Sequence, residues 1–131
     1  MGFDELVRTG TRAVAALRVV LGVTALVAPG IAARPWVGRS AGEPAGTVLG
    51  RAAGARDIAL GAGALLAVSQ GPRAERTWVG LAAFCDVVDA LTTVATWRRL
   101  PSPGRLLVGA AAAGAAVVGV AAVAVTPSRR G

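Results

Sequence analysis

An all-α, four-helix transmembrane bundle is the fold this sequence predicts, and three observations predict it. The chain has 131 residues, 54% hydrophobic and only 16% charged, where soluble domains carry about a quarter charged residues. Aromatic residues make up 4%, so the apolar mass is Ala, Val, Leu and Gly, a mix suited to close helix packing in lipid. Four apolar runs approach the roughly 20 helical residues that cross about 30 Å of hydrocarbon. Residues 1–131 read as a single integral membrane domain.

The first run, residues 13–33, reads AVAALRVVLGVTALVAPGIAA and is interrupted by Arg18. Basic residues before it and Ala32 and Ala33 at its end give it the outline of a signal peptide. Arg18 and the length of the run argue against cleavage, so it is expected to stay as a span. The opening MGFDEL lacks Ser or Thr at position 6 and misses the myristoylation pattern. Trp36 marks the end of this span.

The second run, residues 47–70, is free of charge only from 58 to 70; its full length takes in Arg51, Arg56 and Asp57. A re-entrant segment is the alternative there. The third run, residues 77–97, is bracketed by Trp78 and Trp97, roughly 28 Å apart on a helix, the spacing of two interfacial aromatic belts. The fourth, residues 106–126, has no charge. The separators RPWVGRSAGEP, QGPRAER and RRLPSPGR hold Pro, Gly and Arg and read as loops at the membrane edge.

All fourteen basic residues are Arg, and the net charge is +7. The arginines lie mostly between apolar runs, which points to anionic lipid head groups and away from nucleic acid, whose binding wants a basic patch on a soluble face. The expected location is the cell membrane, multi-pass. With four spans, one side carries Arg8, Arg12, Arg73, Arg76, Arg129 and Arg130, the other Arg34, Arg39, Arg98, Arg99 and Arg105. Six against five places both termini in the cytoplasm by the positive-inside rule.

Enzyme chemistry finds little here. There is no His and a single Cys, Cys85, so a Ser-His-Asp triad is excluded and a zinc site lacks ligands. A lone thiol forms no internal disulfide and, with no base nearby in sequence, makes a poor nucleophile. Thr92, Thr93 and Thr96 are expected to bond back to their own helix. Glycine-rich pieces such as LGAGAL follow no strand and precede no GK[ST], so they carry no phosphate fingerprint. No catalytic residue, metal ligand or cofactor is expected.

The informative residues are the charges inside the runs. On the third run Ala82, Asp86, Asp89, Thr93 and Thr96 fall along one helical stripe, and the other faces read Val, Leu, Phe and Ala. On the second, Gly50, Gly54, Asp57 and Gly61 align, and GRAAG is a GxxxG motif that lets two backbones approach closely. On the first, Arg18, Gly22, Ala25 and Pro29 share a face; the fourth offers small residues, Gly109, Ala113, Gly114 and Gly119, and no polar partner.

Arg18, Arg51 and Arg56 balance Asp57, Asp86 and Asp89. Unpaired, each would cost about 2.5–3.5 kcal/mol near the bilayer centre, so six would cost on the order of 15–20 kcal/mol, more than typical folding stability. A buried polar network of these six residues is therefore expected. Arg18 pairs with Asp86, Arg56 reaches Asp89 or Asp86, and Arg51, nearer its loop, snorkels to head groups. The two aspartates of the third run then either fix helix register through salt bridges or form a proton or cation site; neighbouring arginines weaken the second reading by supplying the cation.

Gly54, Arg56, Asp57, Leu60 and Gly61, followed by Asp86 and Asp89, make a G-x-R-D-x-x-L-G motif and a D-x-x-D motif on consecutive spans. In this the chain resembles a group of small, uncharacterised four-span membrane proteins of high-GC bacteria, similar in turn to the broader DoxX-like group. The resemblance covers the middle half of the chain and implies a four-helix membrane fold and no reaction. The expected role is structural or accessory, with membrane lipids and a second copy or a larger membrane complex as partners. A small proton- or ion-coupled carrier or channel built on the three aspartates is the alternative.

Overall fold

The computed structural model describes residues 2–102, 104–106, 109–110, 113–114, 117 and 120–121. Among these the chain is almost wholly helical, without strands. Helix α1 covers Phe3–Val27, α2 Pro29–Val37, α3 Pro44–Gln70 and α4 Pro72–Ala95, with 3-10 turns at Gly38–Gly42 and Trp97–Arg99. Three of the described helices are long and apolar enough to cross a membrane: Glu5–Val27, Pro44–Gln70 and Pro72–Ala95. Most of the fourth run, residues 106–126, lies outside the described residues; those that are described within it are helical.

Proline sets the helix boundaries. The run at 13–33 is not one helix: Pro29 has no N–H to donate and forces Ala28 to φ −133°, ψ 64°, so α1 ends at Val27 and Pro29 starts α2. The length lost there is regained ahead of residue 13, where α1 begins at Phe3. Pro44 and Pro72 occupy the first turns of α3 and α4, where the missing N–H costs nothing. As a result QGPRAER is scarcely a loop. Gly71 alone separates α3 from α4, and residues 72–76 are already helical. RPWVGRSAGEP likewise contributes to α2 and the following 3-10 turn. Helix α3 is unbroken from 44 to 70, with no point at which it doubles back as a re-entrant segment would.

Gly71 sits at φ +101°, ψ 173°, a conformation essentially reserved for glycine. A Cβ there would meet no other atom within 4 Å, so the cost of a side chain is purely backbone strain. Gly71→Ala is expected to destabilise the protein by about 1–3 kcal/mol, read as a lower thermal midpoint with the helical spectrum intact.

Helix α3 lies centrally and antiparallel to both long neighbours. Towards α1 and the start of α2, a Cβ on Gly50 would lie 3.1 Å from the Pro29 Cβ, one on Gly54 2.7 Å from the Gly22 carbonyl oxygen, and one on Gly61 2.5 Å from the Ala15 carbonyl oxygen. The GxxxG face thus packs inside the chain, against the face of α1 that carries Arg18, Gly22 and Ala25 and against Pro29 at the start of α2. Towards α4, a Cβ on Gly63 would run into the Trp78 ring. Two packed faces on one helix leave α3 without a single apolar side.

The radial order of side chains is inverted relative to a water-soluble protein. The apolar core consists of Ala15, Ala41, Leu60, Ala64, Ala67, Val79 and Ala83, joined by buried Thr11, Arg18, Asp86 and Thr93. Large apolar side chains such as Val20, Val27, Leu66, Phe84, Leu91 and Val94 point outward, and Phe84 and Val94 are 66% and 67% exposed. Soluble monomers rarely expose contiguous apolar surface on this scale.

Candidate functional site

The site is built where α1, α3 and α4 meet. Helical spacing turns Asp86 and Thr93 of α4 inward, with Asp89 partly covered between them, while Val87, Val88 and Leu91 face out. The threonines bond back to their own helix: Thr92 Oγ1 donates to the Val88 carbonyl (2.8 Å), Thr93 Oγ1 to that of Asp89 (2.7 Å) and Thr96 Oγ1 to that of Thr92 (2.7 Å). These hydroxyls need no external partner in an apolar setting.

Two guanidiniums and three carboxylates join end to end. Arg18 of α1 donates through Nη2 to Asp86 Oδ1 of α4 and through Nη1 to Asp57 Oδ1 of α3 at 3.0 Å. The same Asp57 oxygen accepts from Arg56 Nη2 at 3.2 Å. Arg56 then reaches α4 as a fork, Nη1 to Asp89 Oδ1 at 3.2 Å and Nη2 to Asp89 Oδ2 at 2.7 Å. The order is Asp86–Arg18–Asp57–Arg56–Asp89. Arg18 and Asp86 are 8% and 6% exposed, so this end of the chain is the drier. Bidentate charged hydrogen bonds of this kind are the stronger ones and fix geometry as well as energy.

Arg51 stands outside this chain. It is exposed and, among the described residues, makes no ion pair. Helical geometry explains this: one residue beyond Gly50 is a rotation of about 100°, away from the packed faces of α3. The six-residue balance drawn from the sequence is therefore corrected to five residues, three aspartates against two arginines, with a formal charge of −1. Arg51→Ala is expected to change stability by no more than about 0.5 kcal/mol, in contrast to substitutions at Arg56, as a chemical unfolding titration would show.

A cavity of about 30 Å³ opens beside the Arg18–Asp86 end, lined by Thr11, Ala15, Arg18, Leu60, Val79 and Asp86 among others. That is space for about two water molecules. Cys85 is a free thiol, partly exposed, on the position of α4 just before Asp86. Among the described residues no three His, Cys, Asp or Glu side chains converge as a metal site would require.

Sequence reasoning turned Arg56 towards the aspartates of α4 but missed the rest of that second face of α3, Leu60, Gly63 and Ala67. The pairing of Gly63 with Trp78 left a trace in the sequence, a small residue opposite a large one across the one-residue Gly71 turn, which only the shortness of that turn makes readable. It also missed the contacts at the end of α2, where Pro101 meets Gly38 and the Pro35 backbone meets Gly104. Comparison with family models, with curated proteins and with solved structures finds no match to this chain.

Proposed function

We propose that this chain is a small integral membrane protein with a structural or accessory role, and that its intramembrane charges hold its helices in register and carry out no reaction. The observation that supports this is the pairing: every guanidinium and carboxylate at the centre is spent on another, across three helices. Such groups at bilayer depth are costly alone and tolerable together. The inverted core, with Ala, Gly and charge inside and large apolar side chains outside, supports the membrane setting. The motif resemblance to small four-span proteins agrees with it. Partner contacts would then run through the outward apolar surface, since the α3 glycines are already covered by α1.

One observation favours a second reading, a proton- or cation-coupled carrier: the network has one more carboxylate than guanidinium, and its Arg18–Asp86 end lies beside a cavity large enough for water. Reconstitution into liposomes separates the two. A structural role predicts that the wild-type protein, retained in membranes after an alkaline carbonate wash, gives no more proton flux than protein-free vesicles, and that Asp86→Asn lowers the unfolding midpoint. Flux that vanishes in a folded Asp86→Asn or Asp89→Asn variant would defeat the structural reading.

A further inference from the structure

Among the described residues, which leave out Arg129 and Arg130, the two ends of the helix bundle differ in charge. At one end, residues 2–13 and 69–78 carry four arginines against three acids, a formal +1. At the other, residues 29–46 and 96–106 carry Arg34, Arg39, Arg98, Arg99 and Arg105 against Glu43 alone, a formal +4. Four of these five arginines are exposed; Arg105 is not. Its guanidinium lies 5.1 Å from the centre of the Trp97 ring, and its Nη1 donates to the Trp97 carbonyl at 2.8 Å. Its Nε is buried with no acceptor, and no carboxylate pairs with it among the described residues. A second buried donor without an acceptor, Trp36 Nε1, belongs to the same corner. Pro35 and Gly104 touch there through their backbones, so Trp36 and Arg105 each follow directly on a residue of that contact.

Buried donors in folded proteins are almost always satisfied, and a half-buried cation wants a counter-charge. Here the Nε of Arg105 and the Nε1 of Trp36 lie next to one backbone contact, neither with an acceptor among the described residues, at an end of the bundle that carries four further arginines. Arginine stacked on an aromatic ring keeps its edge free for the oxygens of a tetrahedral anion. We infer that this corner is a binding site for a phosphate group, with Arg105 and Trp36 as its direct donors and Arg34, Arg39, Arg98 and Arg99 as its surrounding field. The fitting source is the phosphodiester of an anionic phospholipid, because tryptophan and arginine at the end of an apolar bundle sit at head-group depth. The inference rests on the membrane setting proposed above and is independent of whether the aspartates are structural.

The test uses the full chain in a neutral detergent and reads the thermal midpoint on adding short-chain phosphatidylglycerol, short-chain phosphatidylcholine or sodium phosphate. Phosphatidylglycerol should raise the midpoint by several degrees and phosphatidylcholine by much less. Arg105→Gln and Trp36→Phe should each lose more than half of that rise, while Arg73→Gln at the opposite end keeps it. Trp36→Phe removes an unsatisfied donor and no charge, so it carries the test if Arg105→Gln does not fold. An equal rise with sodium phosphate upholds the phosphate site and assigns it to a free anion; a rise with the lipid alone assigns it to the membrane. No rise with either, or an equal loss in Arg73→Gln, overturns the site and leaves only diffuse charge. Retention in carbonate-washed membranes is scored separately, so that loss of the membrane setting is told apart from loss of the site.

Discussion

Arg18→Met is expected to cost about 3–5 kcal/mol of unfolding free energy, enough to abolish the folded protein in a marginally stable chain. Arg18 is the one residue of α1 in the network and holds two carboxylates, Asp57 and Asp86, on two other helices. Methionine fills much of its volume, so the loss is electrostatic in origin. Asp86, 6% exposed, is left with no cation and few routes to water. Asp57 keeps Arg56 at 3.2 Å, which limits the damage on that side. The double variant Arg18→Met with Asp86→Asn removes both the cation and the charge it neutralised. It should recover part of the loss, a coupling within the 0.5–3 kcal/mol range usual for residues in one network. Denaturant titration in mixed micelles, following the tryptophans, measures all three proteins. A loss under about 1 kcal/mol for Arg18→Met would show that water or another partner already serves the carboxylates, and the network would then not be what holds the helices.

Gly54→Val is the second large effect, and it tests packing without touching a charge. Even the first carbon of a side chain at position 54 would stand 2.7 Å from the Gly22 carbonyl oxygen and 3.0 Å from the Ala25 Cβ. The converse holds: a Cβ on Gly22 would lie 2.6 Å from the Gly54 carbonyl oxygen. The obstacles are largely backbone, which cannot swing aside, so α1 and α3 must separate. Overpacking of this kind costs about 1–3 kcal/mol and sometimes more. Here the separation also stretches the Arg18–Asp57 bond between the same helices, 3.0 Å long. We expect a loss of about 3 kcal/mol or more, at the upper end of that range. Gly10→Ala is the matched control. Position 10 is in α1 with nothing within 4 Å of an added Cβ, so it should gain about 0.5–1 kcal/mol from the better helix former. Equal effects of the two substitutions would mean that α1 and α3 do not cross at these glycines in solution.

Much of the site was readable in the sequence because helical periodicity is local. The spacing of Asp86, Asp89 and Thr93 places them on one stripe whatever the neighbours do, and the spacing of Gly50, Gly54, Asp57 and Gly61 does the same. The cost of charge in an apolar run requires partners for the acids without naming them. Arg56 illustrates the limit: from sequence it could reach Asp86 or Asp89. The choice of Asp89 depends on the offset between α3 and α4, which the single-residue connection at Gly71 and the seat of Trp78 on Gly63 determine together. The separators were misread for a related reason. A Pro-Gly-Arg string looks like a loop by composition, yet a proline in the first turn is compatible with a helix and starts one at both Pro44 and Pro72.

The sequence by itself determined that this protein is helical, that its long helices are apolar enough for a bilayer, and that its inner charges need one another. Those properties follow from composition, period and the solvation cost of ions, none of which depends on how helices are arranged. Only the tertiary structure decided that Arg56 takes Asp89, that a single oxygen of Asp57 serves both arginines, and that the network closes at −1 and not at zero. Rotation and offset between helices settle such matters, and these are set by where glycines let backbones touch, a property of paired surfaces that no one helix contains.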